Sequence, residues 1–119
     1  MSVQFIYDAL NDFGTLGEAG DFPNTLAMGE ASIERMTVDL KLPEGGISGG
    51  PVVLTVKGSD TENGAYAAIV TGSAVSAEDL NREGYALPVP KTKYRFLKAS
   101  IGGSFTGTLR ALVNSYIGK

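Results

Sequence analysis

The stretch "RMTVDLKLPEGGISGGPVVLTVKG", residues 35–58, decides the fold class of this chain. From Arg35 to Leu42 the pattern alternates: Met36, Val38, Leu40 and Leu42 fall on one face, and Arg35, Thr37, Asp39 and Lys41 on the other. Successive side chains of a strand point to opposite faces, so this is a strand with one face in a core and the other in water. Pro43 ends it, because proline has no N–H for the ladder, and the glycines that follow permit an open loop. Val52 to Lys57 reads as a second strand.

Downstream the same punctuation continues. "GSDTENG", residues 58–64, is a turn in which Asp60 and Asn63 suit bonds to their own backbone and Gly64 suits positive φ. Tyr66 to Gly72 is a third strand. Ser76 with Asp79 three positions on resembles a capping box, and Gly84 is placed as a stop, which predicts a short helical turn near 77–83. Tyr85 to Val89 is extended, and Pro88 and Pro90 place it at a sheet edge or leading into a strand. Lys93 to Ile101 is the next strand, but its pattern slips. Tyr94 and Phe96 suit one face while Leu97, Ala99 and Ile101 suit the other, which calls for a bulge near Phe96–Leu97 or for cover on both faces. Gly102-Gly103-Ser104 reads as a turn, and Thr106 to Ile117 as the last strand, with Leu109, Ala111 and Val113 opposing Thr108, Arg110 and Leu112.

These short apolar runs, set off by 16 glycines and 5 prolines in 119 residues, predict a single all-β sandwich over residues 35–119. Residues 1–34 read as an irregular N-terminal arm. Helix over 6–13 is one option there, but it is too short to hold alone, and an extended arm with hydrophobic anchors is preferred. Phe5, Ile6, Tyr7, Leu10, Phe13 and Phe22 make an apolar supply larger than so small a core needs, so part of the arm is expected to pack on another chain as a protein interface.

Composition narrows the function. The chain is 43% hydrophobic and 19% charged, an ordinary globular balance. With no cysteine it has no disulfide, zinc–thiolate site or thiol nucleophile, and with no histidine it lacks the usual general acid–base group. A net charge of −3 and a pI near 4.8 lack the basic footprint of a nucleic-acid binder, so no nucleic-acid partner is expected. The opening "MSVQFIYDAL" has no basic leader and meets Asp8, and no apolar run approaches the roughly 18 residues of a membrane span. Neither a signal peptide nor a membrane partner is expected.

Candidate chemistry is sparse. The acidic pairs Glu78/Asp79 and Asp60/Glu62 sit in turn-like contexts and read as solvated. "DTENG" lacks the distal acidic ligand of a calcium loop of about 12 residues. "GGISGGP" lacks the Lys-Ser/Thr of a phosphate cradle, and there is no Gly-x-Ser-x-Gly elbow. "KTKYRFLK" interleaves bases and aromatics, which can stack single-stranded nucleic acid, but on a strand Tyr94 and Phe96 share a face and suit a core. No catalytic residue, cofactor or metal site is expected, and the chain is expected not to be an enzyme.

One resemblance runs through the residues 52–113. In order they present a strand ending in "KGSD" (57–60), a hairpin to "AAIVTG" (67–72), the acidic helical turn "AEDLN" (77–81), "GYALPVP" (84–90), "YRFLKASI" (94–101) and "GGSFTGTLRALV" (102–113). This order and spacing resembles the jelly-roll cement, or decoration, proteins of tailed bacteriophages, specifically the type on short-tailed Bordetella-type phages. The resemblance implies a jelly-roll-like sandwich that coats the outer surface of the expanded virion capsid after synthesis in the bacterial cytoplasm. Its implied partners are the major capsid protein, whose neighbouring subunits it would bridge, and further copies of itself, as a dimer more than a trimer. The competing expectation is a carbohydrate- or host-binding β-sandwich module of a virion, against which the absence of tryptophan weighs.

Overall fold

The computed structural model describes residues 12–27, 33–42, 45–90 and 94–117. In chain order the elements are β1 (Asp12–Leu16), β2 (Gly20–Asp21), β3 (Leu26–Ala27), β4 (Ile33–Lys41), β5 (Ser48–Ser59), β6 (Ala67–Thr71), α1 (Ala77–Glu83), β7 (Tyr85–Val89), β8 (Phe96–Thr106) and β9 (Leu109–Ile117). They form two antiparallel sheets, one ordered β1-β9-β4-β7 and the other β2-β8-β5-β6, with β3 also on β8. β2 and β3 pair with successive parts of β8, Gly20 with Ile101 and Leu26 with Leu97, so they are two pieces of one strand interrupted around Pro23. Counted so, the sheets read first-eighth-third-sixth and second-seventh-fourth-fifth in chain order, which is the connectivity of a jelly roll.

The alternation seen in the sequence builds the core. Val38 and Leu40 of β4, Leu54 and Val56 of β5, Leu97 and Ala99 of β8, and Leu109 and Ala111 of β9 all point between the sheets and are buried. Facing rows of this kind hold a sandwich together, each fully buried Leu or Val contributing about 1.5–3 kcal/mol. The opposite faces of β4 and β9 carry Thr37, Asp39 and Lys41 against Leu112 and Arg110, so that sheet has one wet side.

The helix forms where its signals lie. Ser76 caps α1, its hydroxyl accepting from the Asp79 N–H at 3.1 Å, and Gly84 ends it at φ 72°, donating its N–H to the Leu80 carbonyl at 2.9 Å. Ala77 and Leu80, three apart, turn inward and close one end of the sandwich.

Four expectations are corrected. Gly102, Gly103 and Ser104 are not a turn: β8 runs through them, Gly102 opposite Val53 and Gly103 opposite Val52. Gly103 is needed for close approach, since at φ 111° a Cβ there would meet the Pro51 carbonyl and the Val52 Cα. The reversal falls instead at Gly107–Thr108. β5 is longer than expected, starting at Ser48 within the glycine-rich run, and β8 starts at Phe96 rather than Lys93. Finally, the division at residue 35 does not follow the sheets. Residues 12–27, expected in an irregular arm, pair with β9 and β8, because their hydrogen-bond partners lie at the far end of the chain.

Candidate functional site

Antiparallel pairing gathers four connections at the α1 end of the sandwich: 17–19, 42–47, 72–84 and 107–108. One side chain ties two of them. The Asn81 carboxamide accepts from the Ile47 N–H at 2.8 Å and donates to the Ile47 carbonyl at 2.9 Å. That closed ring of two bonds holds the chain at Ile47 on the helix and keeps Ile47 buried. Beside it, between the end of β4, the end of α1 and the start of β7, runs an open groove of about 560 Å³. Asp39, Lys41, Glu83 and Tyr85 give it its polar character, and Leu42 and Leu80 its apolar floor. Its one aromatic, Tyr85, has its hydroxyl engaged as acceptor from the Ser73 N–H at 3.2 Å.

At the β1 edge, Asp12 is held by two partners. Arg110 reaches it through Nε at 3.1 Å and through its terminal nitrogen, and the Gly14 N–H donates to it at 2.8 Å. The bond from Arg110, helped by that N–H and by the positive charge, holds the Asp12 carboxyl below the ordinary carboxylate value against an opposing effect of burial. Asn24 braces the same corner, its side-chain amide donating to the Asp12 carbonyl at 3.0 Å and its N–H to the Phe13 carbonyl at 2.9 Å.

The outer face of the other sheet is built from Val53, Thr55, Thr71, Ser100 and Gly102, with charges at one end. Lys57 pairs with Asp21 at 2.9 Å, and the Lys98 ammonium lies 4.7 Å from the centre of the Tyr66 ring. The Tyr66 hydroxyl donates to the Glu62 carbonyl at 2.8 Å, and loss of water around it, with the nearby Glu62 charge, pushes its pKa up.

The residues singled out from sequence separate into groups. Phe5, Ile6, Tyr7 and Leu10 lie outside the described residues. Phe13 and Phe22 are 0% and 2% exposed and belong to this chain's own core, so they are not an outward apolar supply. β1 and the Phe22 N–H bond to Ala99 carry them between the sheets. The acidic pairs are dispersed on the surface: Asp79 takes the Arg82 guanidinium at 2.6 Å, and Asp60 and Glu62 are exposed in the 60–66 turn. Tyr94 precedes β8, and its ring packs where only Gly58 leaves room. Among the described residues no three acidic groups converge as a metal site, and no buried side-chain polar atom lacks a partner. Asn81 and the Asp12–Arg110 pair were not read from the sequence, since their partners lie 34 and 98 positions away.

Comparison with known proteins finds no family model and no curated protein that matches the chain.

Proposed function

We propose that this protein is a capsid cement protein of the tailed-phage type. It binds the outer surface of the expanded head and bridges neighbouring major capsid protein subunits, without catalysing a reaction. The observation that carries this reading is the coincidence of the jelly-roll connectivity with the segments that bear the resemblance. "KGSD" ends β5, "AAIVTG" is β6 with its following glycine, "AEDLN" opens α1, "GYALPVP" holds β7, and "YRFLKASI" leads through β8. A jelly roll serves many functions, so the fold alone does not carry the reading.

Two features of the surface support it. The acidic balance suits a solvent-facing shell more than contact with packaged DNA. The groove beside α1 presents a single aromatic ring whose hydroxyl is already bonded, rather than the stacked aromatics that would favour the carbohydrate-binding alternative. A ligand that binds the assembled shell and not its free subunits stabilises the shell by mass action, and copies bridging two subunits add avidity.

The test mixes purified protein with undecorated heads and with capsid subunits from a tailed phage. Saturable binding to heads, weak binding to subunits and a raised head melting temperature are expected. Equal affinity for both forms, or unchanged head melting, would overturn the proposal.

A further inference from the structure

The edge of a β-sheet is a row of unpaired N–H and C=O groups, and soluble proteins usually blunt it with proline, charge, interruption or a bulge. Among the described residues this sandwich has four edges: β1 and β7 in one sheet, and β6 and the β2/β3 pair in the other. β7 contains Pro88 and is followed by Pro90. β2 and β3 are two residues each and parted around Pro23, and β2 carries the Asp21 charge. β1 carries Asp12 and a bulge between Asp12 and Gly14.

β6 differs from these three in having neither charge nor proline, a bulge being its sole blunting feature. From Asn63 to Ala77 the chain has no charged residue and no proline, and β6 itself reads Ala-Ala-Ile-Val-Thr. Ala67, Ala68 and Thr71 are exposed, and Ile69 and Val70 are half-buried. Its one irregularity is a bulge at Ile69 opposite Val56–Lys57. Among the described residues no strand pairs with its outer side.

We propose that β6 is a self-association edge at which two copies of this chain pair, β6 against β6, about a two-fold axis. The charge pattern points to a second copy. A two-fold contact sets each residue against its own symmetry mate or a near neighbour, so a charge on the strand would oppose a like charge, and β6 has none. Among the described residues each copy has one such edge, so the pair uses both and growth stops at two. The antiparallel join merges two sheets into one continuous sheet. A ladder of five residues is short, which places the association among small interfaces with dissociation constants in about the micromolar range. This inference does not depend on capsid binding, although a dimer would present each capsid-facing surface twice.

The experiment is sedimentation velocity of the full chain from about 1 µM to several hundred micromolar, where a reversible monomer–dimer equilibrium is expected. Ala68→Lys with Thr71→Lys adds charge at exposed β6 positions and should weaken the dimer at least about tenfold, whereas Thr15→Lys on β1 should leave it unchanged. The chain has no cysteine, so single-cysteine variants at positions 67–71 supply a second readout that does not rely on charge. Oxidative cross-linking should peak at one position and fall on both sides of it, with none at Thr15→Cys. A monomer throughout the range, a dimer indifferent to the lysines, open-ended polymers, or cross-linking no greater at β6 than at position 15 would each overturn the proposal. A monomer that still coats heads would remove edge pairing and leave the cement reading standing, and a dimer that ignores heads would do the reverse.

Discussion

The α1 end of the sandwich and the 60–66 turn are both connections between strands, yet they are closed by different means. The turn is closed from within. The Thr61 N–H donates to the buried Ser59 hydroxyl at 3.2 Å, the Gly64 N–H to the Thr61 carbonyl at 3.2 Å, and the Tyr66 hydroxyl to the Glu62 carbonyl at 2.8 Å. The α1 end is closed from outside, by Leu80 driven between the sheets and by Asn81 reaching Ile47 34 positions earlier. A locally closed turn can rearrange without disturbing the core. A connection closed by distant residues is part of the core, and loosening it opens the sandwich.

Substitutions can break or sharpen this contrast. The largest effect is expected from Leu80→Ala, which leaves a cavity at the mouth of the core and should cost about 3 kcal/mol, lowering the melting temperature by on the order of 10 °C. Asn81→Ala should follow at about 2 kcal/mol, because it strands both the N–H and the carbonyl of Ile47 beside the core. Denaturant titration of both variants, with hydrogen exchange at Ile47, checks this pair. In the turn, Ser59→Ala should cost about 1 kcal/mol through the lost acceptor, and Tyr66→Phe less, since the ring keeps its contact with Lys98. If Ser59→Ala matched Asn81→Ala in cost, the contrast between the two regions would collapse.

The smallest expected effect belongs to a third long-range tie, Asp12 with Arg110. The Asp12 pKa is lowered in the folded chain, so the unfolded chain binds its proton more readily. The resulting stability is fully present above the unfolded carboxylate value near 3.8 and is lost as pH falls through the lower folded value. The pair is partly exposed, with side-chain accessibility of 41% at Arg110, so its contribution should stay below about 1 kcal/mol. Asp12→Asn should therefore flatten the acid limb of the stability–pH curve slightly while leaving its neutral plateau little lower, as read by urea unfolding between about pH 2 and 7.

What could be read in the one-dimensional chain follows the same division. Val38 and Leu40 declared their strand by alternation, and α1 declared itself through Ser76 and Gly84, because each signal and its cause sit within a few residues. The glycines at 102 and 103 misled, since a glycine that turns a chain and one that admits a neighbouring backbone are the same letter. Only β5 passing beside them distinguishes the two. Phe13 and Phe22 misled for a related reason: their spacing shows no period, and the strands that receive them lie some 80 to 100 positions onward. The groove beside α1 was not legible either, because Asp39, Lys41, Glu83 and Tyr85 come from three elements that meet only in the fold.

The sequence by itself therefore determined the class, an all-β chain with one short helix, because period-two patterning, proline and capping residues act through local stereochemistry. It also determined the uncharged character of residues 63–77, which is composition and needs no fold. Only the tertiary structure decided that residues 12–27 complete both sheets, that Asn81 locks the loop before β5, and that this uncharged run lies at an open edge. Strand order is set by which rows of side chains exclude water together across the whole chain. A burial free energy summed over distant partners leaves no mark at any single position.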